Sequence, residues 1–84
     1  MDDLQERRRL TRKRTLKGGR IVFNNGRSVI DCVVRNMTPQ GALLTLPSIL
    51  GVPKTFDLYI DGEVIPRPAR VVMRDATSLG VTWD

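Results

Sequence analysis

Two segments of this 84-residue chain contain side chains whose types and spacing suit an anionic, planar ligand. The first holds Arg8 and Arg12, which are separated by three positions within a basic run. Guanidinium groups donate paired hydrogen bonds to phosphate or to the O6/N7 edge of guanine, and they stack on purine faces. If this segment is helical, both guanidiniums lie on one face. Taken alone, however, the segment favours a generic polybasic tail that binds RNA, DNA or acidic lipid.

The second segment covers residues 36–41, with the sequence Asn-Met-Thr-Pro-Gln-Gly. The carboxamide of Asn36 presents a donor and an acceptor in one plane and can pair with a guanine edge. The Thr38 hydroxyl adds one adaptable contact, and Gly41 either permits a positive φ or lets a ligand approach the backbone closely. Because Asn, Thr, Pro and Gly are also ordinary turn residues, this segment alone predicts a plain loop.

The charge distribution separates the chain into two parts. Residues 1–20 carry eight Lys/Arg and three Asp/Glu, whereas residues 21–84 carry six of each, so the net charge of +5 belongs to the first part. A charge segregated in this way is typical of a binding arm. The four aromatic residues are too few for a base-stacking platform, which makes single-stranded nucleic acid an unfavoured partner.

Composition also excludes several function classes. The chain has no histidine and a single cysteine, which rules out a Cys/His metal site and a His-dependent nucleophile pair. We therefore expect no enzymatic activity, no metal and no cofactor. The sequence contains no 18-residue apolar stretch and no signal-peptide core, so we expect a cytoplasmic protein without a membrane span.

The rest of the chain reads as short strands joined by tight turns. Strong hairpin signals occur at Asn25-Gly26 and Asp61-Gly62, and Gly18-Gly19 is expected to break the chain before the first strand. Apolar alternation predicts strands over residues 20–23, 28–35, 42–46, 56–60, 63–74 and 79–83. The strand over residues 63–74 is expected to be interrupted near Pro66 and Pro68, which lie on an edge or at a bend. The predicted fold is all-β: a six-stranded antiparallel barrel over residues 20–84, preceded by a basic arm over residues 1–19.

A few other side chains have predicted structural roles. Cys32 alternates with apolar neighbours and is expected to be a small buried hydrophobe. Trp83, at the end of the last strand, is expected to fill the core or plug one end of the barrel. The arginines of the fifth strand are expected to neutralise nearby acids, namely Arg67, Arg70 and Arg74.

Together the two segments resemble the signature of the PilZ domain family, bacterial receptors for the second messenger cyclic di-GMP. The family signature is Arg-x-x-x-Arg in an N-terminal loop, then [Asp/Asn]-x-Ser-x-x-Gly about two dozen residues later, on a six-stranded barrel. This chain has Arg8 to Arg12 and then Asn36-Met-Thr-Pro-Gln-Gly41. Its ending over residues 79–83, Leu-Gly-Val-Thr-Trp, is similar to the closing strand of the family. The resemblance covers residues 6–84.

The resemblance implies a set of ligand contacts in the arm. Arg8 and Arg12 would bind the guanine and phosphate groups of cyclic di-GMP. Arg7 and Arg9 flank these two residues and are possible additional contacts.

The resemblance also implies contacts on the barrel. Asn36 and Thr38 would hydrogen-bond guanine and phosphate, and Gly41 would keep the loop shape. Thr38 departs from the family's usual serine: the hydroxyl is retained, but the added methyl group crowds the ligand and biases χ1.

The function implied is that of a cyclic di-GMP receptor or adaptor, which orders its arm over the barrel on binding and signals to a partner protein. Two alternatives stay open: a degenerate PilZ barrel that acts as a protein-interaction module without ligand, and a small nucleic-acid-binding barrel. The sequence ends after the last strand, without the C-terminal helix of many PilZ domains. We therefore expect either an exposed patch or a homodimer that covers it.

Overall fold

The computed structural model describes residues 16–84, which form one closed antiparallel barrel. The strands are β1 (Leu16–Phe23), β2 (Ser28–Arg35), β3 (Gly41–Thr45), β4 (Thr55–Ile60), β5 (Arg67–Arg74) and β6 (Ser78–Trp83). Their neighbour order is β1-β2-β3-β6-β5-β4, and β4 pairs back onto β1. This confirms the predicted six-stranded barrel.

Alternating side chains explain which residues fill the barrel. In β4 the apolar residues Phe56, Leu58 and Ile60 are buried, while Asp57 and Tyr59 face outward. Successive side chains of a strand point to opposite faces, so this pattern places one apolar face inside the barrel. The buried side chains of the described region are all hydrophobic, and Gly19 and Gly41 are buried as well. The hydrophobic core comprises Ile21, Cys32, Val34, Leu44, Leu46, Val52, Phe56, Leu58, Ile60, Ala69, Val71, Leu79 and Val81.

The first strand is longer than the sequence predicted. It begins at Leu16, four residues before the predicted start, and it includes both Gly18 and Gly19. The prediction that these glycines break the chain was wrong. At Gly19 a side chain would be too close to both neighbouring strands, so a residue without a side chain lets the strand continue. A Cβ atom on Gly19 would lie 3.0 Å from Val34 Cγ2 and 3.2 Å from the carbonyl oxygen of Tyr59.

The first hairpin follows its sequence signal. The β1–β2 register pairs Phe23 with Ser28, so the turn is centred between Asn25 and Gly26, as predicted. Asn24, Asn25 and Gly26 all have positive φ, at 56°, 57° and 85°. Asn and Gly are the residues that adopt this conformation most readily.

The β4–β5 connection is longer than a two-residue hairpin. Asp61-Gly62 does form a turn, in which the Glu63 N–H donates to the Ile60 carbonyl at 2.9 Å and Gly62 has a φ of 91°. The next strand, however, begins at Arg67 rather than at residue 63. Pro66 immediately precedes this strand, and a proline has no amide hydrogen to donate to the ladder.

The alternating strand directions divide the loops between two ends of the barrel. The beginning of β1, the β2–β3 loop, the β4–β5 loop and the end of β6 lie at one end, which we call the proximal end. It comprises Leu16, residues 36–40, residues 61–66 and Trp83. The chain that precedes β1 therefore joins the barrel at the end where the candidate 36–41 segment lies.

Candidate functional site

The 36–41 loop leaves β2 through a left-handed residue. Asn36 has a φ of 49°, a conformation that asparagine tolerates better than most other L-residues. Arg35, the residue before it, is the last residue of β2 and pairs with Leu16, the first described residue of β1. The candidate guanine-binding carboxamide is therefore adjacent in sequence to the residue that pairs with the start of β1.

The hydroxyl group of Thr38 holds the loop together. Its oxygen accepts hydrogen bonds from the backbone N–H groups of Gln40 at 3.1 Å and Gly41 at 3.2 Å. The Thr38 N–H also donates to the Gly41 carbonyl, at 2.8 Å. A hydroxyl oxygen has two acceptor lone pairs, and both are used by these two N–H groups. The Thr38 O–H donates to the Gly41 carbonyl at 3.3 Å, so a ligand that accepts this proton has to displace that hydrogen bond.

Gly41 is required by the neighbouring strand. A Cβ atom at this position would lie 1.9 Å from the Val81 carbonyl oxygen and 3.0 Å from the Cα atom of Thr82. Gly41 does not have a positive φ, so that part of the sequence interpretation was wrong. The backbone that approaches Gly41 is that of β6, and the lack of a side chain is what allows the Gly41–Thr82 pair to form.

Trp83, the last residue of β6, donates two hydrogen bonds to the same loop. Its backbone N–H donates to the Gln40 carbonyl at 3.0 Å, and its indole Nε1–H donates to the Thr38 carbonyl at 3.2 Å. The ring is partly buried and packs against the core at the proximal end, which confirms the predicted plug. Sequence reasoning did not connect Trp83 to the loop, because the two are 45 residues apart.

Arg67 lies over the indole of Trp83. Its Cζ atom is 4.9 Å from the ring centroid, within the range of a cation–π contact. The same guanidinium donates from Nε and Nη2 to the two carboxylate oxygens of Glu63, at 2.9 and 3.0 Å. These hydrogen bonds, with a smaller effect from Lys17, lower the pKa of Glu63 below its usual value.

The other two arginines of β5 differ in their partners. Arg70 pairs with Asp84 through Nε at 3.1 Å, so the expectation that these arginines pair with acids holds for Arg67 and Arg70. Arg74 instead donates to the carbonyl of Val52 at 3.1 Å.

Cys32 is a core residue, as predicted. It is 7% exposed, and burial, with a smaller effect from Asp31, raises the pKa of its thiol to about 11. A thiol with so high a pKa is a poor nucleophile at neutral pH.

A shallow groove of about 290 Å³ runs beside the 36–41 loop on the outer surface of β3 and β6. Its lining includes Asn36, Thr38 and Gln40 from the loop and Gly80 and Thr82 from β6. This volume is at the lower limit for a small-molecule site, so a larger ligand needs a second wall. A larger depression of about 400 Å³, beside β2 and the end of β3, has no cationic side chain in its lining and does not suit an anion.

The arm residues of the predicted site, Arg7, Arg8, Arg9 and Arg12, lie outside the described residues. Residues 16–84 contain no group of three or more His, Cys, Asp or Glu residues that could hold a metal ion. Nor does this part of the chain form a helix with the length and apolar character needed to cross a membrane.

Comparison with known proteins identifies the architecture. No family model matches the chain, and no curated protein matches it. Among solved structures, the chain is similar to the PilZ domain of CeSA from a cellulose-synthesizing bacterium, with a TM-score of 0.65. The two sequences are 18% identical, and the match covers 87% of this chain and 79% of the other. The fold of this chain is therefore PilZ-like.

Proposed function

We propose that this PilZ-like domain is a receptor for cyclic di-GMP and is not an enzyme. The observation that carries the proposal is the pairing of Leu16 with Arg35. The basic arm enters the barrel at Leu16, so this pairing brings the point of entry close to Asn36. The arm and the 36–41 loop, the two halves of the predicted ligand site, therefore start from the adjacent strands β1 and β2. Covalent reach supports this: Arg12 is four residues from Leu16, a distance of at most ~14 Å along an extended chain.

The size of the groove supports a site made of two parts. Cyclic di-GMP has two phosphates and two guanines, more than a groove of about 290 Å³ encloses. In the proposed complex, Asn36 and Thr38 contact the ligand from the barrel, and Arg8 and Arg12 cover it from the arm. Arginine suits the second role because its planar group binds phosphate and guanine edges bidentately and also stacks on the base.

The proposed signal is a change in the surface of the proximal end. Ligand neutralises part of the positive charge of the arm and holds the arm across the barrel, and a partner protein recognises the resulting surface. An intracellular messenger as ligand implies that the protein works in the cytoplasm.

Isothermal titration of the full chain with cyclic di-GMP tests the proposal. We expect Arg8→Ala and Arg12→Ala each to weaken binding by about tenfold or more, because each removes charge-assisted hydrogen bonds. Arg27→Ala is the matched control, since it removes an arginine from the turn at the opposite end of the barrel. Absence of heat with the unmodified chain at high micromolar ligand would refute the receptor function and leave the fold intact.

The segregated positive charge of residues 1–20 supports a second candidate, a nucleic-acid-binding barrel. It predicts affinity for many sequences that falls steeply with salt, and an equal loss from any arm cation. Losses at Arg8 and Arg12 with little loss from Lys17→Ala would exclude this candidate. A degenerate barrel without ligand is distinguished by Thr38→Ser: if this substitution confers binding that the natural chain lacks, the methyl group has abolished the site.

A further inference from the structure

Three side chains form a layered unit at the proximal end of the barrel. Glu63 holds Arg67 through two hydrogen bonds of 2.9 and 3.0 Å, and Arg67 lies 4.9 Å above the ring of Trp83. We call these three residues the Glu63–Arg67–Trp83 stack. It joins the β4–β5 loop to the end of β6.

The stack continues into the 36–41 loop through Trp83. This residue donates to two carbonyl groups of the loop, that of Thr38 from the indole and that of Gln40 from the backbone. The backbone contact follows from the position of the strand, whereas the indole contact requires the ring to keep one orientation. Arg67 covers the ring and restricts that orientation, and Glu63 restricts Arg67.

The contacts of Arg67 favour a role through Trp83. One of its faces covers the indole, and two of its five N–H groups are bonded to Glu63. A guanidinium that is already paired must give up a carboxylate before it can bind a phosphate with the same groups. Its existing contacts therefore suit it to orient the ring rather than to exchange partners.

We propose that the Glu63–Arg67–Trp83 stack is a positioning device that sets the conformation of the 36–41 loop before ligand binds. The inference rests on the proposed function, because its consequence is tighter binding of cyclic di-GMP. A loop already held in its binding conformation loses less conformational entropy when the ligand arrives. Arg67 and Trp83 then determine affinity without contacting the ligand.

The first test needs no ligand. Trp83 is the single tryptophan of the chain, so its indole N–H gives one assignable NMR signal. We expect Arg67→Lys to speed hydrogen exchange at this N–H, since lysine keeps the charge but lacks the planar, bidentate group. Arg27→Lys is the matched control and leaves the exchange rate unchanged. Unchanged exchange in Arg67→Lys would overturn the positioning role, whether or not the chain binds cyclic di-GMP.

The second test is a double-mutant cycle measured by titration with cyclic di-GMP. Trp83→Phe keeps a ring but removes the indole donor, and we expect it to weaken binding by about three- to tenfold. If Arg67 acts through that donor, Arg67→Lys weakens binding in the natural background and has little further effect in Trp83→Phe. Losses that multiply would instead show that Arg67 acts independently of the indole donor, and would overturn the proposal. Failure of the natural chain to bind would count against the proposed function, while the exchange experiment still decides the role of the stack.

Discussion

Substitution of Gly41 by alanine tests the close approach of β6 to β3 at this residue. The added Cβ atom would lie 1.9 Å from the Val81 carbonyl oxygen, where ordinary contact begins at 3.4 Å. The obstacle is the β6 backbone at Val81 and Thr82, so no side-chain rotation relieves it. β6 has to retreat from β3 by about 1.5 Å to restore ordinary contact.

A retreat of this size destabilises the domain in two ways. Overpacking of a well-packed region costs about 1–3 kcal/mol. The 3.0 Å hydrogen bond from the Trp83 N–H to Gln40 also becomes too long to persist. With about 1 kcal/mol for each of one or two lost hydrogen bonds, the total is about 2–5 kcal/mol. At about 4–8 °C for each kcal/mol in a domain of this size, we expect a fall in Tm of about 8–40 °C.

Thermal unfolding followed by circular dichroism and by Trp83 fluorescence measures this effect. Gly80→Ala is the matched control, because its Cβ atom would meet the side chain of Met73, at 3.2 and 3.5 Å, and would come no nearer to backbone than 4.0 Å. We expect this control to change Tm by less than about 4 °C, which corresponds to about 0.5–1 kcal/mol in a domain of this size. A Gly41→Ala variant that melts within the same interval would refute the reasoning from strand approach. A large shift would mean that loss of ligand binding in Gly41→Ala reports the fold and not a lost ligand contact.

Two further predictions concern titratable groups. The thiol of Cys32, with its pKa raised to about 11, should react with a thiol reagent near pH 8 roughly a hundredfold more slowly in the native than in the denatured protein; equal rates would contradict its burial. The pKa of Glu63 is lowered in the folded state, chiefly by its hydrogen bonds to Arg67. Its contribution to stability is therefore present above the usual pKa of 4.5 and is lost as the pH falls through the lowered folded value. Carboxyl NMR titration should show this low pKa, and Arg67→Gln should raise it toward 4.5; a pKa that does not respond to that substitution would exclude Arg67 as the cause.

Local patterns were sufficient to predict most of the barrel. The alternation of Phe56, Leu58 and Ile60 gave one buried face, and Asn25-Gly26 gave the register of the first hairpin. Both features depend on residues that are neighbours in sequence. Predictions failed where contacts between distant residues overrode a local pattern. Gly18-Gly19 is typical of a break between elements, but in the barrel both glycines lie within β1, where the strands on either side leave little room for a side chain.

The candidate site likewise has features that the sequence predicted and contacts that it did not. Its residue types were visible in the sequence, because the spacing of Arg8 and Arg12 and the composition of residues 36–41 are local properties. The contacts of the loop were not visible, since the indole of Trp83 reaches Thr38 across 45 residues of sequence.

The sequence by itself determined the strands, their inward faces and a short set of candidate ligand residues, because periodicity and side-chain chemistry act over a few positions. The tertiary structure alone decided that β3 lies beside β6, which places Trp83 on the loop and leaves Gly41 no room for a side chain. It also decided that Leu16, the first described residue, pairs with Arg35, the residue that precedes the loop. Strand order depends on how six strands close around one core, and no local pattern contains that information.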